Sequence, residues 1–77
     1  MENKKCYEAV IRDTSCDEED KTYFFKIRFI APSRKEVCEW LHKKYDNDNF
    51  CIINEVYEIK ELDKMQSALN GIKIIEL

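Results

Sequence analysis

Cys38 and His42 stand four residues apart in a stretch of helical periodicity, the spacing at which two side chains meet on one side of a helix. An imidazole beside a thiol can lower the thiol pKa and turn it into a nucleophile. Such a pair also needs a third group to orient the imidazole, and the sequence supplies no evident one. Cys38 belongs to the apolar stripe of its helix, so the pair reads as a core thiol beside a surface histidine. His42 is the only histidine, and no glycine-rich phosphate loop or nucleophile elbow occurs. The expectation is therefore a protein that is not an enzyme, with no catalytic residue and no cofactor.

The four cysteines, Cys6, Cys16, Cys38 and Cys51, contain no C-x₂₋₄-C pair. Structural zinc sites usually take at least one such knuckle, because a tight turn must aim two thiolates at one ion. No metal site is expected, and three of these thiols fall where cysteine acts as a small hydrophobe. Cys16 lies among carboxylates, which hold a thiol protonated and unreactive. No disulfide is expected either, since the opening Met-Glu-Asn-Lys-Lys reads as an ordinary cytoplasmic start and free thiols suit a reducing compartment. No apolar run approaches the roughly 18 residues of a membrane span, so no membrane association is expected.

Two clusters remain that recognise rather than react. Asp17, Glu18, Glu19 and Asp20 form an uninterrupted acidic run. It reads either as a solvated loop tip or as a finger aimed at an Arg/Lys surface of a protein partner. It lacks the alternating ligands and central glycine of a calcium loop. The second cluster is Arg12, Phe24, Lys26 and Arg28, bases interleaved with an aromatic on one face of a hairpin. Such a face can stack and neutralise single-stranded nucleic acid. The same pattern also serves to keep sheet edges from aggregating. The net charge of −3 disfavours nucleic acid as the partner.

The elements that must carry these residues follow from a change of hydrophobic period at Ala31-Pro32-Ser33. Tyr23, Phe25, Ile27 and Phe29 alternate as a strand does, whereas Val37, Leu41 and Tyr45 recur as a helix does. The spacing predicts a first strand over 4–12, with Tyr7, Ala9 and Ile11 on its core face and Cys6, Glu8, Val10 and Arg12 opposite. A wide polar loop over 13–20 then leads to a second strand over 21–31. Pro32 ends that strand, and Ser33 with Glu36 makes a capping box for a helix over 34–45, stopped by Asp46-Asn47-Asp48-Asn49. A third strand is predicted over 50–60. A short helix capped by Asp63 follows, with Leu62, Met65 and Leu69 inward and Gly71 as its left-handed terminus. Residues 72–77 would add a strand or dock as a tail.

The 77 residues make one domain, 1–77, of the α+β class. The expected architecture is a small antiparallel sheet with a ββαβ core, strand order 2-1-3, one main helix on one face and a short C-terminal helix. The outer sheet face, with Val10, Phe24, Ile30, Ile52 and Val56, is then too apolar to be simply solvated. A chain this short encloses no deep pocket and gains from shared burial, so a homodimer also fits. These features converge on a small acidic protein-interaction domain that covers a basic surface of a partner. Inhibitors encoded by phages or mobile elements, including anti-CRISPR proteins, are of this size and charge, and the Lys, Asn and Ile richness suits an AT-rich genome. The alternative expectation is a single-stranded nucleic-acid-binding module using the basic outer face.

Overall fold

The computed structural model describes residues 4–18, 21–47 and 50–77, and of residues 15–18 and 21–22 it describes the backbone. The elements are β1 (Lys5–Glu18), β2 (Lys21–Ala31), α1 (Arg34–Tyr45), β3 (Cys51–Ile59), α2 (Lys64–Leu69) and β4 (Lys73–Glu76). The strands form one mixed sheet in the order β3-β1-β2-β4. Strand β1 has β2 and β3 as its antiparallel neighbours, as expected. The order nonetheless differs from 2-1-3, because β4 adds to the free side of β2. It runs parallel to β2, pairing Ile27 with Lys73 and Ile30 with Glu76, so the sheet is not purely antiparallel.

The core lies on one face of this sheet. Pairing aligns Tyr7 with Phe29, Ala9 with Ile27 and Ile11 with Phe25, and the odd-numbered residues of both strands point the same way. Tyr7, Ala9, Ile11, Ile27, Phe29 and Ala31 are buried there against Val37 and Leu41 of α1. Trp40 meets Phe29 edge-on at 5.3 Å and Tyr45 meets Phe25 at 6.4 Å, which locks the helix along the sheet through aromatic geometry. Lys44 lies over the Trp40 ring at 5.2 Å, so its ammonium meets the face of the indole. Tyr23, whose alternation with Phe25, Ile27 and Phe29 predicts the same core face, is instead 41% exposed.

Local signals end the elements where the sequence placed them. Pro32 has no N–H to continue the ladder, and Ser33 follows in extended geometry as the N-cap of α1. The cap differs in detail from the expected capping box: the Ser33 hydroxyl donates to the Glu36 carboxylate instead of accepting from a backbone N–H. At α2, Asp63 accepts from the Gln66 N–H at 3.0 Å, a side-chain cap of the expected kind. Beyond α2, Gly71 adopts φ 70°. Its N–H bonds to the Ala68 carbonyl and that of Ile72 to Ser67, the pair of bonds of a Schellman turn. This turn directs the chain into β4.

Two expectations fail along the strands. First, β1 does not stop at Arg12: it pairs with β2 at Asp13 opposite Tyr23 and, after an irregularity over 14–17, again at Glu18 opposite Lys21, replacing most of the predicted wide loop. The backbone pairs gained on both sides of the irregularity outweigh the polar composition of 13–18. Second, β3 carries a bulge. Ile11 pairs with Ile53 whereas Val10 pairs with Glu55, so Asn54 is the extra residue. The bulge reverses the alternation, and Val56 joins Ile53 and Cys51 on the core side instead of sharing the outer face with Ile52.

Truncating Leu41, which is fully buried beneath α1, should lower stability by about 3 kcal/mol in urea denaturation. Gly71→Ala meets no neighbouring atom but must hold a positive φ, so it should cost about 1 kcal/mol. The Glu36 carboxyl is held below its ordinary pKa, chiefly by the Ser33 hydroxyl, then by its own backbone N–H, with a smaller contribution from Lys35. Its stabilising effect is therefore complete above the ordinary glutamate range and is lost as pH falls through the lowered folded value. Urea titrations of wild type and Glu36→Gln should diverge at neutral pH and converge as pH falls below the ordinary glutamate range and on through the lowered folded value.

Candidate functional site

The face opposite α1 is ordered in rows by strand register. The first row runs Ile52, Arg12, Phe24; the second Glu55, Val10, Lys26; the third Tyr57, Glu8, Arg28, Ile74; the fourth Ile59, Cys6, Ile30, Glu76. Neighbours within a row are cross-strand partners, close enough for their side chains to interact directly. The face is thus less apolar than expected, since each of the four rows carries a charged residue at its centre or flank.

Glu8 is the centre of the third row, and only 4% of its surface is exposed. Its carboxylate accepts from Arg28 Nε at 3.1 Å and from the Tyr57 hydroxyl, with Lys26 Nζ 4.0 Å away. Arg28 Nη1 continues the network to Ser67 Oγ of α2 at 2.5 Å, and Ser67 Oγ donates to the Asp63 carbonyl at 2.7 Å. A buried carboxylate is tolerable only when its oxygens are matched by donors, and here two cross-strand partners and a nearby ammonium do so. Tyr57, Ser67 and Glu8 itself carried no functional signal in the sequence. Glu8 alternates onto the outer face by periodicity alone, but its pairing with Arg28 depends on the β1–β2 register.

The arrangement changes the standing of the basic cluster. Phe24 is 51% exposed and Lys26 is exposed, whereas Arg12 and Arg28 are half-buried. The Arg28 guanidinium is engaged by Glu8 and Ser67, so it is not presented to a phosphate line. Phe24, Lys26 and Arg28 do share an open groove of about 420 Å³ with Asn70, Gly71 and Ile72. Its far wall is the Schellman turn after α2.

Helix α2 is turned opposite to expectation. Ser67 is its one buried residue, and Met65 and Leu69 are 76% and 82% exposed. The reason lies in the hydrogen bonds: Ser67 faces the sheet because Arg28 and Asp63 both bond its hydroxyl, which sends the apolar residues outward.

Of the acidic run, Asp17 and Glu18 belong to β1, and their side chains lie outside the described residues, as do Glu19 and Asp20 entirely. Strand β3 pairs with β1 only as far as Asp13, and Phe50 accepts from both the N–H and the hydroxyl of Thr14. Past Asp13 the register of β1 on β2 is interrupted, and the two strands pair again at Glu18 opposite Lys21. His42 pairs with Asp46 Oδ1 at 3.1 Å on the exposed side of α1, forward along the helix from Cys38. Cys6, Cys38 and Cys51 form no disulfide, and among the described residues no three His, Cys, Asp or Glu side chains gather as a metal site. Among the same residues no helix is long and apolar enough to cross a membrane.

Glu8→Ala should cost about 2 kcal/mol in urea denaturation, because it strands the half-buried Arg28 without its carboxylate. Glu8→Ala combined with Arg28→Met should recover part of that loss, which a double-mutant cycle reads directly. No protein-family model, curated protein or solved structure matches this chain.

Proposed function

We propose that this chain is a small non-enzymatic interaction domain that uses its acidic run, Asp17 to Asp20, to occupy a basic surface of a protein partner and thereby inhibit it. The observation that supports this most is the strand pairing. Strands β1 and β2 pair again at Glu18 and Lys21, beyond the last pairing of β1 with β3 at Asp13 and Cys51, so the acidic run begins past the part of the sheet that β3 supports. Four adjacent carboxylates in the sequence make a strong local field for an Arg/Lys patch. A two-stranded pairing is marginal on its own, and docking against a partner would supply the missing contacts. The role fits inhibitors carried by phages or mobile elements, such as anti-CRISPR proteins, in which a small acidic domain blocks a nucleic-acid-binding surface.

The nucleic-acid alternative is the weaker reading. It relied on Arg28, whose guanidinium is already committed to Glu8 and Ser67. Without it the outer face offers mainly Lys26 and Phe24 beside Arg12, set against Glu55 in the neighbouring row.

The test is a tagged pull-down from lysate of the source organism or its host, with and without nuclease. A stoichiometric protein should be retained after nuclease treatment. It should be lost when Asp17, Glu18, Glu19 and Asp20 are all replaced by Lys, and its affinity should fall with added salt. Retention by the charge-reversed chain would sink the acidic-finger reading, and recovery that collapses with nuclease would favour the nucleic-acid module.

A further inference from the structure

We infer that α2 is a strap that opens separately from the rest of the fold, with the Ser67–Arg28 hydrogen bond as its latch. Helices usually dock by burying an apolar stripe, and a helix of six residues has little stability without such docking. Here the stripe is reversed: Met65 and Leu69 face outward and only Ser67 is buried. What holds α2 to the outer face is therefore polar. Arg28 Nη1 bonds Ser67 Oγ at 2.5 Å, and the same guanidinium is braced from the sheet by Glu8 at 3.1 Å. The latch thus has a fixed half, the Glu8–Arg28 pair within β1 and β2, and a movable half, Ser67.

The ends of α2 suit such a motion. Asp63 caps its start with the Gln66 N–H, so the helix can leave with its own cap intact. Gly71 follows its end at φ 70°, a hinge position free of side-chain obstruction. Opening would free Arg28 on the side away from Glu8, whose carboxylate is buried beside it. The strap is independent of the acidic run, and its failure would leave the partner reading untouched.

Native-state amide hydrogen exchange on the full chain tests the idea. In wild type the amides of Ser67, Asn70 and Ile72 should exchange at least roughly a hundredfold faster than the slowest amides of β1. Ser67→Ala should speed the Asn70 and Ile72 amides by a further factor of about ten and leave β1 unchanged. Alanine is the better helix former, so faster exchange would report loss of the latch and not of helix propensity. Leu69→Ala should leave exchange in α2 near wild type. Exchange of α2 at the rate of β1 would overturn the proposal, as would an unchanged rate in Ser67→Ala or an equal acceleration in Leu69→Ala.

Discussion

Strand β1 is hydrogen-bonded on both edges from Cys6 to Asp13, and this double pairing is the constraint on which the rest of the molecule depends. A strand in that position can present nothing but its two faces. Its odd residues, Tyr7, Ala9 and Ile11, supply the apolar floor on which α1 packs. Its even residues must be satisfied on the opposite face, and among them is the carboxylate of Glu8. The fold solves the first requirement with aromatic and aliphatic packing and the second with a polar network.

That network explains why the outer face is neither a second core nor an ordinary wet surface. Burial of a carboxylate calls for donors on several sides, and the register supplies them: Tyr57 across one ladder and Arg28 across the other. Arg28 then has donors to spare, and Ser67 takes one. One consequence is that α2 is oriented by hydrogen bonding, against its own apolar pattern. Another is that the most strongly placed base of the outer face is neutralised from within.

The partner reading and the strap draw on different parts of the molecule. The acidic run begins in β1 past the point where β3 ceases to pair with it. Helix α2 lies beside the third row, bonded to Arg28, and is held by few groups. In a chain of 77 residues with one modest core, such weakly anchored elements are where recognition can be built without lowering stability further.

Much of the fold was legible along the chain. The change of period at Pro32, the alternation of Tyr23 to Phe29, the caps at Ser33 and Asp63 and the terminating Gly71 are all local signals, each acting within four residues or so, and they place α1, α2 and β2 closely. Among the candidate site residues, local pattern put Arg12, Phe24, Lys26 and Arg28 on one face, and composition singled out Asp17 to Asp20. What tertiary structure decided were matters of partnership. The Asn54 bulge, which moves Val56 to the core, exists only because β3 is aligned with β1. The run of β1 to Glu18 exists only because β2 is there to pair with it. The side of β2 that receives β4, the outward turn of Met65 and Leu69, and the conversion of Arg28 from a free base into the partner of Glu8 all depend on residues 20 to 46 positions apart meeting in space. Periodicity assigns a residue to a face; only register and packing determine what stands across from it.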